Sequence, residues 1–434
     1  AFIKGSDFAD MLYNGISPTY YTEKNELRNF DIYRKNKLYD GYQNIRLNGP
    51  GGMLVYGKHA LGLTSSIRES SFFNNLPNDM GQFIYEAIDF QKQQNILWSH
   101  DKTIHAGSLT WLEISLSYAY NFHRYKWDYW AVGISVKPLI GISGIYSNLY
   151  NVDYYVQHDD TAYIDNLSFD YSYSLPINYD DNTYEGPFFS GFGWGVDLGI
   201  TYMFTAKGHT IRRFTRLCAQ RYEDYNVKIG LSLLDIGYIK FKKRAEVHSF
   251  LNTNTDWFRN DYRDNMPSGS MNEINEKLEA YFSDYSGQSL SENKFTIYTP
   301  PTISLQIDYH FKRYMYLNGT FFYGFSYGDN ILKRPSVFSL TYRYEKLRWE
   351  FALPVSVVEL NYLAPKAGFY FRYGNFFLGT NDFISFLGLK DFTAIDFYFG
   401  LRLNLSRNLR MDYFKGNCGD ANYYNIETFD YRNF

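Results

Sequence analysis

Apolar and polar residues alternate one for one along several stretches of this chain, which is the period of a β-strand whose two faces meet different surroundings. From Thr302 to Phe311, the set Ile303, Leu305, Ile307, Tyr309 and Phe311 interleaves with Thr302, Ser304, Gln306, Asp308 and His310. From Ile395 to Ser406, the set Ile395, Phe397, Phe399, Leu401, Leu403 and Leu405 interleaves with Asp396, Tyr398, Gly400, Arg402, Asn404 and Ser406. A helix, with a period of about 3.6, would segregate neither pair of sets. The same rule sets Leu112, Ile114, Leu116, Tyr118, Tyr120 and Phe122 against Glu113, Ser115, Ser117 and Asn121. It sets Trp194, Val196, Leu198, Ile200, Tyr202 and Phe204 against Gly195, Asp197, Gly199 and Thr201. Tyr225, Val227, Ile229, Leu231 and Leu233 oppose Asn226, Lys228, Gly230 and Ser232. The phase slips at Leu233-Leu234, which predicts a β-bulge or the end of the apolar wall there.

Extended over the chain, the pattern predicts strands near 42–57, 60–73, 109–122, 129–146, 193–205, 225–241, 295–311, 314–328, 335–345, 347–360, 366–373, 376–388 and 394–406. Short turns fall at Lys58-His59, His123 to Asp128, Lys312-Arg313, Glu345-Lys346 and Gly374-Asn375. Long polar insertions alternate with them at 74–107, 147–192 and 242–294, and shorter ones at Gly328 to Arg334, Asn361 to Pro365 and Leu389 to Thr393. Strands joined alternately by short turns and long loops are the layout of a transmembrane β-barrel, with the turns on the periplasmic side and the loops outside. Single-chain bacterial barrels have even strand counts. A further strand is therefore expected between Asp10 and Glu26, giving an all-β, antiparallel barrel of about fourteen strands. The chain divides into an N-terminal segment with that first strand (1–41), the barrel (42–408) and a periplasmic tail (409–434). The segment 206–224, with Arg212, Arg213 and Arg216, falls on the turn side yet is long and basic.

Composition agrees with this layout. The 434 residues are 20% aromatic, with Tyr 44 and Phe 37, while mean hydropathy is only -0.40. A soluble domain must bury that many rings or expose sticky patches, whereas a barrel sets them against lipid and in interfacial girdles and keeps its lumen polar. No stretch approaches the roughly 20 apolar residues of a membrane helix. Ala1 is expected to lie at or beyond a processed N-terminus. A net charge of -3 gives no reason to expect a nucleic-acid partner.

The alternation aims many charges inward: Glu113, Lys137, Asp197, Lys228, Asp308, Arg343, Glu345, Arg348, Glu350, Arg372 and Arg402. Both signs are present, which favours a cross-barrel ion-pair network that closes the lumen over a selective channel, for which one sign would be simpler. Cys218 and Cys418 lack metal-site spacing, and both are expected on the oxidising periplasmic side, where they would pair. Catalysis has little support. His310 beside Asp308 reads as structural, and no nucleophile accompanies it. The acidic loop His158-Asp159-Asp160, with Asp180-Asp181, lacks EF-hand spacing and reads as solvated rather than as a calcium site. No cofactor or metal is implied. Short helices are expected at Met271 to Tyr285 and Leu76 to Phe90, the latter capped by Asp79 with Phe83, Ile84 and Ile88 on one face.

The segments GKHALGLTSSIRE (Gly57 to Glu69), WLEISLSYAYNF (Trp111 to Phe122), EDYNVKIGLSLLDIGYIKFKK (Glu223 to Lys243) and LRLNLSRN (Leu401 to Asn408) resemble an uncharacterised family of Bacteroidota outer-membrane barrels. That family is distantly similar to the fatty-acid-transporter barrels and to barrels of the type IX secretion system. The resemblance implies a non-catalytic subunit of a larger outer-membrane assembly, with the barrel-assembly machinery or type IX secretion as host. It implies other outer-membrane proteins or lipoproteins as partners, besides the bilayer. Relatives often continue into a peptidoglycan-binding domain that would reach the cell wall. Here about 26 residues follow Asn408, too few for such a domain. The alternative function is a passive or gated channel for a small or hydrophobic solute; an outer-membrane hydrolase lacks its nucleophile constellation.

Overall fold

The computed structural model describes residues 2–402 apart from 24, 35–37, 57, 87–89, 126–127, 159–160, 205–224, 259–268, 284–288, 313, 347–348 and 360–362. The chain is all-β, dominated by one large antiparallel sheet. The strands in its first half are β1 (Tyr20–Tyr21), β2 (Leu27–Arg28), β3 (Leu38–Tyr56), β4 (His59–Pro77), β5 (Leu97–His100), β6 (Ile104–Tyr125), β7 (Asp128–His158), β8 (Thr161–Ser174) and β9 (Gly191–Phe204). Then come β10 (Val227–Phe241), β11 (Ala245–Phe258), β12 (Leu290–Glu292), β13 (Phe295–Tyr298), β14 (Thr302–Lys312), β15 (Met315–Gly324) and β16 (Val337–Glu345). The last are β17 (Trp349–Glu359), β18 (Leu363–Ala367), β19 (Phe369–Tyr373), β20 (Phe376–Thr380) and β21 (Tyr398–Leu401).

Sequential pairing builds the wall. β3 pairs β4, which pairs β6; β6 pairs β7, and β7 pairs β9. The series continues through β10, β14, β15, β16, β17, β19, β20 and β21. The pairs β3–β4, β6–β7, β14–β15, β16–β17 and β19–β20 meet at one end of this meander, where the short turns were expected, although β6 runs on through Tyr125 and β7 begins at Asp128; the long insertions join strands at the other end.

The two faces separate as the alternation requires. On β14, Ile303, Leu305, Ile307, Tyr309 and Phe311 are 36–47% exposed, while Thr302, Ser304, Asp308 and His310 are 8% or less; Gln306 departs from its set and is exposed. Ile114, Leu116, Tyr118 and Phe122 of β6 share the exposed face, as do Phe192, Trp194, Leu198 and Phe204 of β9. Ile395, Phe397, Phe399 and Leu401 are exposed too; Leu403 and Leu405 lie outside the described residues.

Several expectations need correction. Where a strand was expected between Asp10 and Glu26, the chain forms a helix, Gly5–Asn14, ended by Gly15 at φ 68, and then the two-residue strands β1 and β2. Phe8, on that helix, stacks on Phe392 at 3.7 Å, so an aromatic contact with a residue distant in sequence replaces a place in the wall. The insertion 147–192 is largely strand, and 242–294 carries a long strand of its own: β7 runs for 31 residues and its upper half pairs β8, which pairs β11. Strand 295–311 breaks at Pro300-Pro301, since proline cannot donate to the ladder. Strand 376–388 ends at Thr380 and gives way to a helical turn, Phe383–Phe386. The helix Met271–Phe282 forms as expected, capped by Ser270. The other runs Asn78–Glu86. Asp79 lies inside it, and Ile84 is 74% exposed rather than packed.

Candidate functional site in the sheet interior

The site grows from an irregularity in β10. Its register against β9 shifts between Leu233 and Ile236, the bulge that the phase slip predicts, and Asp235 takes a left-handed backbone at φ 56. The Asp235 amide donates to Asp197 Oδ1 at 2.8 Å, and its carbonyl accepts from Thr299 Oγ1 at 2.7 Å. The extra residue reverses the strand's phase. Below it Leu231 is exposed; above it Ile239 and Phe241 are wholly buried. Asp235 itself enters the buried face.

There it meets charges from four neighbouring strands. Arg68 of β4 donates to both Asp235 oxygens at 2.8 and 2.9 Å and to Glu113 of β6 at 3.1 Å. The Lys137 ammonium of β7 lies 2.5 Å from Asp197 of β9, 3.0 Å from Asp235 and 3.9 Å from Glu113. Arg46 of β3 reaches Glu113 at 3.5 Å from a more open position. Arg68 also lies over the Trp111 ring, 4.7 Å from its centre. Arg68, Lys137 and Glu113 are buried almost completely. Charges so placed survive only because each faces opposite charge.

An apolar layer adjoins this network. Phe72, Leu109, Trp111, Leu139, Tyr146, Ile239, Phe241, Phe295, Ile297 and Leu332 form one buried cluster. Glycine makes room for the rings. A Cβ at Gly141 would stand 2.7 Å from Ile239 Cγ2, and one at Gly191 2.9 Å from the same atom. Packing this close sets the Ile239 and Phe241 side chains directly on the backbone of β7 and β9.

A second set of charges lies toward the short-turn end. Arg343 donates to Asp308 at 2.8 Å and to the Tyr225 hydroxyl at 3.2 Å, and that hydroxyl donates to Asp308 at 2.6 Å. Arg343 is 3.6 Å from Glu345, which is 3.7 Å from Arg372, which in turn donates to Glu350 at 2.9 Å. Of the charges expected inward, Glu113, Lys137, Asp197, Asp308, Arg343, Glu345, Glu350 and Arg372 therefore fall into two networks. Lys228 and Arg402 are exposed. Arg348, Cys218 and Cys418 lie outside the described residues, as does the tail 409–434. Asp235 and Arg68 were missed. The phase slip announced the bulge without saying which side chain it would turn inward, while the parity of Ser66, Arg68 and Ser70 was a usable signal.

His310 does not pair with Asp308 as a catalytic dyad would: its Nδ1 lies 3.2 Å from the Tyr225 carbonyl and its ring stacks on Tyr316 at 4.2 Å. A Ser/His/acid sequence of contacts does exist among the upper strands. His248 Nδ1 is 2.8 Å from Ser289 Oγ, and its Nε2 is 3.2 Å from Glu246. The Ser289 hydroxyl, however, donates to Glu279 of the helix Met271–Phe282, so its proton is not offered to the imidazole as nucleophilic catalysis requires. The arrangement latches that helix: Asn275 donates to the Tyr173 hydroxyl at 2.6 Å, and Tyr173 donates to Glu246. Asp180 accepts from Asn272 of the same helix at 2.6 Å, and no group of three metal-ligating side chains occurs among the described residues.

The latch should respond to acid. The hydrogen bond from His248 holds the Glu246 carboxyl below its ordinary value, against burial and with help from Tyr173. A group depressed in the folded state contributes stability above its unfolded pKa, and that contribution is lost as pH falls through the lower, folded value. Relative to the unstructured rate, hydrogen exchange of the helix Met271–Phe282 should stay slow at neutral pH and accelerate progressively as pH falls from the ordinary carboxylate range toward the lower, folded value. Glu246→Gln should abolish this acid transition; an unchanged transition in that variant would refute the latch.

A family model described as a family of unknown function, DUF5723, matches residues 3–381. No curated protein matches the chain.

Proposed function

We propose that this chain, which belongs to the DUF5723 family of unknown function, is a non-catalytic β-barrel of the bacterial outer membrane that serves as a structural or accessory subunit of a larger assembly. Closure is supported by the strand order, which returns from β21 to β3. Spanning is supported by the exposed apolar face, carried by strand after strand on the side opposite the buried charges. In water such a continuous apolar surface would aggregate; in lipid it is the expected exterior of a barrel.

The observation that carries the functional reading is the filled interior. Arg68, Glu113, Lys137, Asp197 and Asp235 neutralise one another across five strands, and the apolar layer around Phe241 packs against them. A pore needs a wet path, and a buried charge network flanked by packed rings argues against one at this level. The protein then acts through its surface, chiefly the tall β7–β8–β11 structure with its latched helix on the outer side. Other outer-membrane proteins or lipoproteins are the partners this arrangement suits.

Planar-bilayer recording tests the reading. The purified chain should insert without stable single-channel current, and pull-down from mild detergent should bring partner proteins with it. Large, stable conductance in the wild-type chain would overturn the plug and favour solute transport instead.

A further inference from the structure

At the long-loop end of β10 the chain reads Lys240-Phe241-Lys242-Lys243-Arg244, a cationic run placed where the exposed apolar wall stops. Past the bulge, Tyr238 and Lys240 lie on the outer face, and the register sets Tyr238 opposite Trp194 and Lys240 opposite Phe192 of β9. Tyr238, Trp194 and Phe192 are all exposed. Phe188 and Phe189, just before β9, are exposed as well, and the Lys243 ammonium lies 4.9 Å from the centre of the Phe189 ring. Lys240, Lys242 and Lys243 are exposed, and so is Lys294, which precedes the Phe295 that pairs with Phe241. Among the described residues no ion pair holds any of these four lysines. The exposed carboxylates of the adjoining segments, Asp180, Asp181, Glu185 and Glu292, form no ion pair with them among the described residues.

Arg244 differs from the lysines in what it does. Its guanidinium donates to the carbonyls of Leu175, Gly186 and Pro187 at 3.1, 3.1 and 2.9 Å. It fixes the loop that carries Phe188 and Phe189 against this corner of the wall.

The order along the outer face is therefore apolar wall, aromatic rings, then unneutralised ammonium groups. A protein surface bathed only in water gains nothing from that order, because the rings stay exposed and the like charges repel. An anionic lipid answers both parts at once: its acyl chains cover the rings and its phosphates meet the lysines, whose flexible stems reach up to headgroup level. On the reading that the wall spans the membrane, this end faces the outer leaflet. We propose that Lys240, Lys242, Lys243 and Lys294, standing above Phe192, Trp194 and Tyr238, bind the phosphorylated headgroup of an anionic lipid of that leaflet.

The test uses the full chain in phosphatidylcholine nanodiscs doped with lipid A, a bisphosphorylated glycolipid, with bound lipid counted by native mass spectrometry. The wild type should retain lipid A, and Lys240→Gln/Lys242→Gln/Lys243→Gln should weaken retention at least about tenfold, while Lys228→Gln at the far end of β10 should not. Insertion of each variant into the nanodisc controls for folding. Equal lipid A retention by the triple variant would overturn the proposal while leaving the barrel reading intact, and so would displacement of lipid A by inorganic phosphate at matched concentration, which would mark a site for free anions. Failure of the wild type to enter any nanodisc would overturn the barrel reading and this inference together.

Discussion

Asp235→Ala is expected to destabilise the folded chain by about 3–5 kcal/mol, because removing one member of a buried ion network leaves its partners uncompensated. Arg68 would lose both of its hydrogen bonds to Asp235 and Lys137 a contact at 3.0 Å. Neither cation has water to turn to, since both are buried. Urea unfolding of the detergent-solubilised protein measures the loss. The double variant Arg68→Met/Asp235→Ala removes one charge of each sign and should lose less than the sum of its two single variants, whereas additive losses would mean that the two side chains are not coupled. Lys228→Ala, at an exposed position of the same strand, supplies the baseline. An Asp235→Ala midpoint equal to that baseline would contradict the network.

Leu305→Arg should cost about 2–4 kcal/mol if its site lies near the membrane midplane, the penalty for arginine on a lipid-facing barrel position. Leu305 is exposed, so in water the same change would fall within about 0.5 kcal/mol of neutral. The substitution therefore separates a wall in lipid from a wall in water. Gln306→Arg, one residue along and on the opposite face, should be milder. Heat-induced loss of compact migration after refolding into vesicles gives the comparison, and equal, small effects at both positions would argue against a lipid-facing surface.

The wall was legible because β14, β6, β9 and the lower half of β10 obey a strict period of two with apolar and polar sets that barely mix. Legibility failed where that contrast weakens. In the upper half of β7 and in β8, tyrosines are interspersed with Asn, Asp and Ser, and β11 carries the polar run Asn252 to Asp256, so these segments read as polar loops although they pair as strands. At the N-terminus, Phe8 belongs to a short helix held by Phe392, more than three hundred residues away in sequence, a contact no local pattern can announce. The interior site was half visible. Glu113, Lys137 and Asp197 follow from parity, but Asp235 turns inward only because its residue adopts a left-handed backbone at the bulge, and a parity rule breaks at that very place.

The account rests on the two faces of the wall meeting different media. Polarity-sensitive labels placed one at a time on cysteines at positions 303 to 308, with Cys218 and Cys418 replaced, test this directly in reconstituted vesicles. Labels at Ile303, Leu305 and Ile307 should report hydrocarbon, and be quenched by lipid-borne nitroxides, while those at Ser304, Gln306 and Asp308 should not be. Water-like emission at all six positions, or quenching at the even-numbered ones instead, would contradict a lipid-facing β-barrel.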